Sequence, residues 1–208
     1  MSYEFLNLIS YQNSLAIMEE KISEVVQQKK CFVYGLEHEL IYTAGLKTSS
    51  KHILKDIPYV KSRRGGSITV HNPGQLVHYC VFPLSAINNA LEKYIRALEV
   101  SMINTLANYN SRAFQDREHT GVWTENGKIG FVGIAAKKGA VYHGAALNVK
   151  NNLDDYKPVV SCGLNLPIMR LIDEPGANVS DLSLGNISKQ WFHEFVRVMN
   201  QNFTFGLE

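Results

Sequence analysis

The sequence is poor in features that mark secreted, membrane-spanning or nucleic-acid-binding proteins. Its three cysteines, Cys31, Cys80 and Cys162, are widely spaced and form no CxxC pair, which argues against a disulfide framework or a zinc ribbon. No run approaches the roughly 20 apolar residues that cross a bilayer. A net charge of +2 is too small to indicate a nucleic-acid partner. We therefore expect a protein that binds neither membrane nor nucleic acid and keeps at least one free thiol.

The N-terminal segment also lacks a secretion signal. MSYEFLNLIS has no basic residue ahead of an apolar stretch and no small-residue cleavage site follows it, so we expect a cytoplasmic protein. The 208 residues, 45% of them hydrophobic, suffice for one substantial core. Because there is no repeat and no low-complexity linker, we expect a single domain over residues 1–208.

Apolar residues at helical spacing predict three helices. The first follows an N-cap at Asn13 or Ser14, the second follows one at Ser85, and the third covers residues 188–202. The polar face of the second helix, which includes Glu99, is expected to be solvated.

Strand formers and turn residues alternate through the rest of the chain. Buried strands are predicted at residues 31–36 and 75–84. Three further strands, GVWT, KIGFVGIAA and AVYHGAALNV, are joined by turns at residues 125–127 and 137–139. Helices and strands do not follow regular βαβ spacing, which predicts an α+β fold with a mixed, largely antiparallel sheet flanked by helices.

The stretch RRGGSITVHNPGQLVHY, at residues 63–79, combines a glycine pair, three strand formers, a histidine and an Asn-Pro-Gly turn. A glycine pair lets the backbone pass close to another group, so the loop can cradle a ligand. A tight turn between two strands is the alternative.

Cys162 stands where a strand ends in a loop. It is either an inert buried hydrophobe or a nucleophile. A nucleophilic role needs a nearby cation, because the unperturbed thiol pKa is about 8.5 and the anion is the attacking species. Lys128, His71 and His143 are candidates for that cation, and Lys128 also fits a surface position at a hairpin end. Spacing alone leaves the choice open.

The order of these motifs resembles the lipoyl(octanoyl) transferase family, which attaches octanoate from acyl carrier protein to lipoyl domains. RRGGSITVHNPGQLVHY is similar to the family's glycine-rich substrate loop, GVWTENGKIGFVGIAAKKGAVYHGAALNV to its central strands, and SCGL to its Pro-Cys-Gly. The similarity covers residues 3–163 in consistent order and spacing. It implies a catalytic domain with the fold of the biotin and lipoate protein ligases, which agrees with the α+β class.

The resemblance implies roles for particular residues. Cys162 becomes the nucleophile that carries the octanoyl group as a thioester, and Lys128 lowers the pKa of that cysteine and shuttles protons. Substrate contacts are implied for Arg64, Gly65, Gly66, Ser67, Ile68, Thr69, Val70, His71, Phe131, Val132, Gly133, Gly144, Ala145 and Ala146.

The resemblance also implies partners. The donor is octanoyl acyl carrier protein, and the acceptors are lipoyl domains of 2-oxoacid dehydrogenase complexes and the glycine cleavage H protein. This reaction is the first step of endogenous lipoate biosynthesis, and no ATP, metal or organic cofactor is expected. We expect a monomer in which Arg63, Arg64, Lys137 and Lys138 form a docking patch for acidic partners, the alternative being solvated turns.

Some positions depart from the family pattern, and other functions remain open. Asn72 and Val70 replace a glycine and an aromatic residue beside His71, and Ser161 replaces the proline before Cys162. These changes concern the shape of the pocket and leave both reactive groups in place. The alternatives are an ATP-dependent lipoate or biotin protein ligase of the same fold, a Cys-His thioester hydrolase, and a non-catalytic scaffold that binds acyl carrier protein.

Overall fold

The computed structural model describes residues 1–161 and 167–203, so Cys162 lies outside the described residues. The described residues form ten strands and three helices: β1 Ser2–Ile9, α1 Tyr11–Gln28, β2 Phe32–His38, β3 Ile41–Ala44, β4 Val60–Lys61, β5 Ile68–His71, β6 Gln75–Pro83, α2 Leu91–Ala107, β7 Phe114–Gln115, β8 Val122–Thr124, β9 Gly127–Lys137, β10 Ala140–Asn148 and α3 Leu184–Asn202. Within these ranges, no helix combines the length and apolar character that a membrane-crossing segment needs.

Seven strands form the main sheet, in the order β1-β2-β6-β10-β9-β8-β7, and a small sheet has the order β4-β3-β5. In the main sheet, among the described residues, β1 pairs with β2 in parallel and the other neighbours are antiparallel. The small sheet combines one parallel and one antiparallel pair. The prediction of a mixed, largely antiparallel sheet flanked by helices is confirmed.

Alternate side chains of β6 enter two separate cores, because successive residues of a strand point to opposite faces. Leu76, Cys80 and Phe82 pack with residues of α2 and α3. Val77 and Val81 pack with residues of α1 on the other face. The main sheet is therefore covered by helices on both sides, which explains why every residue of β6 is buried.

The first helix begins earlier than the sequence predicted. Ser10 is its N-cap, with an extended backbone and a side-chain oxygen that accepts a hydrogen bond from the Asn13 backbone nitrogen at 3.2 Å. The prediction of Asn13 or Ser14 as the cap was wrong, because the helix already includes Tyr11.

The second helix begins later than predicted, so Ser85 does not cap it. Leu84–Ile87 form a separate 3-10 turn, and the following Asn88 and Asn89 have φ values of 52° and 57°. These two left-handed residues separate the 3-10 turn from α2, which starts at Leu91. Asparagine tolerates that conformation better than most residues do.

Candidate functional site

The glycine loop, residues 62–67, runs between the small sheet and the main sheet. Gly65 donates its backbone N–H to the Ile134 carbonyl of β9 at 2.9 Å, and Lys47 donates to the Gly66 carbonyl at 2.9 Å from the other side. Gly66 has a φ of +80°, which a residue with a side chain rarely adopts. The glycine pair therefore lets the loop pass close to the sheet and turn there.

The buried side chain of Arg64 joins this loop to β3 by hydrogen bonds. It is buried, and its Nη1 donates to the Ser67 carbonyl at 2.8 Å while its Nη2 donates to the carbonyl and Oγ1 of Thr43 at 2.6 and 2.9 Å. A guanidinium held by backbone carbonyls in the interior is not available to a docking protein. The prediction that Arg64 belongs to a surface docking patch was therefore wrong.

A central cavity lies beside the glycine loop. Its lining comes from α1, the glycine loop, β5, β6, β9 and β10: Tyr11, Arg64, Gly66, Thr69, His71, Val77, Tyr79, Phe131, Val132, Gly133, His143, Gly144, Ala145 and Ala146. Ten of these residues belong to the substrate-contact set that the family resemblance implies. The other four, Tyr11, Val77, Tyr79 and His143, were not in that set, although the two-residue spacing of Val77 and Tyr79 on β6 indicates one shared face.

Successive side chains of β5 point to opposite faces, so only two of its four residues in that set reach the cavity. Thr69 and His71 line the cavity, whereas Ile68 and Val70 are fully buried in the core beneath α1. Gly65 and Ser67 are also outside the lining, and the Ser67 hydroxyl lies 2.6 Å from His52 Nδ1. The structure therefore places these four positions outside the cavity lining.

Glycines on β9 and β10 allow close approaches of the backbone at the cavity. A Cβ atom at Gly144 would lie 2.2 Å from the His78 carbonyl oxygen, and one at Gly133 would lie 3.0 Å from Arg64 Cδ. Since a Cβ that close to a backbone oxygen cannot be accommodated, position 144 requires glycine.

Two buried histidines, His71 and His143, line the cavity, and the ring of a third, His38, lies 5.6 Å from that of His71. Burial lowers the pKa of His71 and of His143 to about 3, and that of His38 to about 4. All three imidazoles are neutral at pH 7, and His71 Nδ1 donates to Gln75 Oε1 at 2.7 Å in that state. His71 and His143 therefore do not supply the cation that a thiolate needs.

Lys128 lies at the start of β9 and is 4% exposed, so the surface alternative was wrong. Its Nζ donates to the Thr120 carbonyl at 2.6 Å and lies 5.0 and 5.1 Å from the ring centroids of Trp123 and Phe131. No carboxylate of the described residues forms an ion pair with it. Since Phe131 also lines the cavity, Lys128 is a buried cation next to it.

The described residues on both sides of positions 162–166 are attached to this region. Ser161 Oγ lies 3.3 Å from Thr69 Oγ1 on β5. The Pro167 carbonyl accepts from the Lys128 backbone N–H at 2.8 Å, and Met169 donates to the Lys128 carbonyl at 2.9 Å. The residue before positions 162–166 therefore contacts the cavity lining, and the residue after them contacts Lys128.

The other two cysteines are packing residues of the core. Cys31 and Cys80 are free and buried in the core beneath α2 and α3. Burial raises the pKa of Cys31 to about 11 and that of Cys80 to about 12, so both remain protonated packing residues.

Comparisons with known proteins agree with this architecture. Residues 10–196 match the family model of the lipoyl protein ligase A/B catalytic domain. The octanoyltransferase of Wolbachia pipientis subsp. Culex pipiens is 34% identical over 191 residues, 88% of this chain and 93% of that protein. The octanoyltransferase of Rickettsia canadensis is 30% identical over 198 residues, 90% and 95% of the two chains.

A solved structure shows the same fold. The putative lipoate protein ligase Ta0514 of T. acidophilum, with bound lipoic acid, superposes with a TM-score of 0.72 at 17% identity, over 95% of this chain and 85% of that chain. This likeness confirms the predicted ligase-like fold.

Proposed function

Because the chain belongs to the lipoyl protein ligase A/B catalytic domain family, we propose that it transfers an octanoyl group from octanoyl acyl carrier protein to a lysine of lipoyl domains. Its octanoyltransferase relatives identify it as an acyltransferase. The reaction proceeds through a thioester on Cys162, without ATP. Residues 1–208 act as one catalytic domain, since both sheets contribute to the lining of the cavity.

The observation that carries the proposal is the environment of Lys128. A buried cation such as Lys128, which pairs with no carboxylate in residues 1–161 and 167–203, stabilises an anion brought beside it, because little water screens the charge. Ser161 and Pro167, the described residues that flank Cys162 and its four successors, contact Thr69 and Lys128. A thiolate of Cys162 is the anion that suits this arrangement.

In the first step, the Cys162 thiolate attacks the carbonyl carbon of the octanoyl thioester. A bond forms between that carbon and the cysteine sulfur, and the bond to the carrier sulfur breaks. Lys128 gives a proton to the departing carrier thiolate. One thioester replaces another, so the step is nearly isoenergetic.

In the second step, the ε-amine of the acceptor lysine attacks the octanoyl-Cys162 carbonyl. Lys128, now neutral, accepts the proton that the attacking amine loses, and the bond to the cysteine sulfur breaks. An amide forms that is more stable than the thioester. Lys128 and Cys162 thereby return to their starting states.

The central cavity holds the octanoyl chain in this proposal. Its lining includes the apolar side chains of Val77, Phe131 and Val132 and two neutral imidazoles, and the guanidinium of Arg64, which also lines it, is bound to Ser67 and Thr43. This lining suits a hydrocarbon. Each buried methylene contributes about 0.8 kcal/mol, so a C6 donor should bind roughly one order of magnitude more weakly than a C8 donor. A flat preference from C4 to C12 would contradict this assignment.

A basic surface beside the cavity suits the donor protein. The segment 46–63 has five basic residues and one acidic residue, an excess of four, whereas the whole chain has an excess of two. Lys47, Lys51, Lys55, Lys61 and Arg63 are exposed, and none forms an ion pair with the described residues. The segment is attached to the glycine loop and to the chain just before Ser161.

We therefore assign donor docking to this basic segment. Of the residues expected to form a docking patch, Arg63 belongs to it, Arg64 is buried, and Lys137 is paired with Glu19 at 2.9 Å. An acidic acyl carrier protein would be attracted to a surface of this charge.

Intact-protein mass spectrometry tests the proposed reaction. The protein is mixed with octanoyl acyl carrier protein without ATP, a lipoyl domain is then added, and both steps are repeated with Cys162→Ser. An octanoyl adduct that maps to Cys162 and moves to the acceptor lysine supports the transferase.

Other outcomes point elsewhere. No adduct combined with ATP-dependent modification from free octanoate indicates a ligase. Release of free octanoate without an acceptor indicates a hydrolase. Binding of the carrier without any reaction indicates a scaffold.

A further inference from the structure

Glu99 is a buried carboxylate that the proposed reaction does not use. It lies in the middle of α2, and its side chain has no exposed surface. The expectation of a solvated polar face was wrong at this position. A buried carboxylate is costly unless it is paired and hydrogen-bonded, so its partners identify what it stabilises.

The Glu99 carboxylate accepts three hydrogen bonds. Arg96 Nη1 and Gln115 Nε2 donate to Oε2, each at 2.9 Å. The backbone N–H of Gly121 donates to Oε1 at 2.6 Å. The first two fix the carboxylate against α2 and β7, and the third ties it to the turn before β8.

The Gly121 contact connects Glu99 with Lys128 through one peptide group. The N–H of Gly121 and the C=O of Thr120 belong to the same planar unit. Its N–H points at the Glu99 carboxylate at 2.6 Å, and its carbonyl accepts from Lys128 Nζ at 2.6 Å. A carboxylate at the N–H end polarises the peptide and strengthens the carbonyl as an acceptor for a cation.

The local backbone is built for this contact. Gly121 has a φ of +128°, and a Cβ atom there would lie 2.5 Å from Lys128 Cε and 2.6 Å from the Gly130 carbonyl oxygen. Only glycine lets the lysine side chain pass so close. If the peptide rotated, both of its hydrogen bonds would be lost together.

We propose that Glu99 is a positioning residue for Lys128 that acts through the Thr120–Gly121 peptide. This inference rests on the catalytic role of Lys128 proposed above. Glu99 does not touch the reacting atoms. It holds the carbonyl that keeps Lys128 Nζ at the edge of the cavity, beside Phe131.

The test compares the reactivity of individual lysines toward acetic anhydride at trace concentration, followed by peptide mass mapping. In the wild-type protein, Lys128 should be labelled at least about tenfold more slowly than the exposed Lys51, since its nitrogen is buried and donates a hydrogen bond. Labelling of Lys128 as fast as Lys51 would overturn the inference. This arm requires no variant to fold.

Glu99→Gln is the informative variant. It removes the charge and leaves a single acceptor oxygen, which should face the two donors of Arg96 and Gln115. The amide NH2 then faces the Gly121 N–H, so that contact is lost and the carbonyl of Thr120 is no longer held in place. Lys128 labelling should rise about tenfold, kcat should fall about tenfold, and KM for the donor should stay within about twofold. Unchanged Lys128 labelling in the folded variant would also overturn the inference.

Gln115→Ala is the matched control. It removes one donor from the same carboxylate and leaves the Gly121 contact intact, so Lys128 labelling should stay within about twofold of wild type. An equal rise in both variants would show general loosening of the turn and overturn the inference. Wild-type and Glu99→Gln proteins that show the expected labelling but no octanoyl transfer would support the positioning and contradict the proposed function.

Discussion

The central cavity and the lysine corner both bury polar side chains but treat their charge in opposite ways. We define the lysine corner as Glu99, Thr120, Gly121 and Lys128. In the cavity, imidazoles that meet no carboxylate of the described part of the chain lose their charge, and burial lowers the pKa of His71 to about 3. In the corner, a carboxylate and an amine occupy the two ends of one peptide group. The hydrogen-bonding partners of a buried titratable group therefore matter more than its burial for whether it keeps its charge.

The two regions meet at Phe131, whose ring lines the cavity and lies 5.1 Å from Lys128 Nζ. A hydrocarbon chain and a charged intermediate need different surroundings within a few ångströms of each other. The fold provides both on one strand, β9, which includes Lys128 and Phe131. Variants that affect one region and spare the other can therefore test this separation.

The largest effect is expected for Lys128→Met in the lysine corner. Loss of the proton carrier should lower kcat by about a thousandfold, since positioned acids and bases contribute about 10²–10⁴. The melting temperature should change little, because methionine fills the space without a buried charge. Steady-state octanoyl transfer and calorimetry measure the two quantities. Lys189→Met on the exposed side of α3 is the control, and more than a tenth of wild-type activity in Lys128→Met would contradict its role.

The second effect concerns the wall of the cavity. Gly144→Ala should lower the free energy of unfolding by about 2–4 kcal/mol, because its Cβ would meet the His78 carbonyl oxygen at 2.2 Å. Urea unfolding measures the difference. Gly65→Ala provides the comparison, since its Cβ would find its nearest neighbour at 3.7 Å and should cost less than about 1 kcal/mol. Equal losses would mean that the close approach of β6 and β10 does not matter.

Acid should lower the free energy of unfolding, because the buried histidines at the cavity are unprotonated in the folded protein. The pKa of His71 is lowered to about 3 in the folded state, against about 6.5 in the unfolded chain. The unfolded chain therefore binds more protons, so stability is complete above about pH 6.5 and is lost as pH falls toward 3. Each such histidine contributes up to about 1.4 kcal/mol per pH unit.

Urea unfolding at pH 7, 6 and 5 measures this slope. His38, His78 and His143 have lowered pKa values for the same reason, which is desolvation. His71→Gln should reduce the slope of the free energy of unfolding against pH by the contribution of one histidine. A free energy of unfolding that is independent of pH between 7 and 5 would show that these imidazoles are accessible to protons when folded.

The smallest effect should come from the basic segment, which belongs to neither buried region. Lys55→Glu should raise KM for octanoyl acyl carrier protein about threefold at low salt and leave kcat unchanged. The difference should vanish at high ionic strength, where surface charges are screened. Lys189→Glu makes the same charge change away from the segment and should have no effect. An equal KM change in both variants would remove the docking assignment.

Much of the fold was predictable from local pattern. The hairpins at residues 125–127 and 137–139 follow from turn residues between strand formers, and β9 and β10 pair as expected. The strand β1 was missed, because its pairing with β2 lies in parallel across the whole of α1. No local sequence signal specifies a partner that far along the chain.

The candidate site was predictable only in part. The resemblance placed Lys128, the glycine loop and the β10 glycine in one set, and ten of its residues line the cavity. Tyr11 was missed because a tyrosine at the start of an amphipathic helix has the pattern of an ordinary core residue. Arg64 was expected at the surface because its charge, taken alone, favours water.

The amino-acid sequence by itself determined most of the elements, the α+β class and the chemistry available, since these depend on residue type and short-range spacing. Only the tertiary structure decided which charges are buried and which partners they meet. Glu99 and Lys128 are 29 positions apart in the sequence, and neither has a local pattern that indicates the other. Their connection through the Thr120–Gly121 peptide exists because α2 packs against the turn before β8, and long-range packing of that kind follows from the whole core rather than from any one segment.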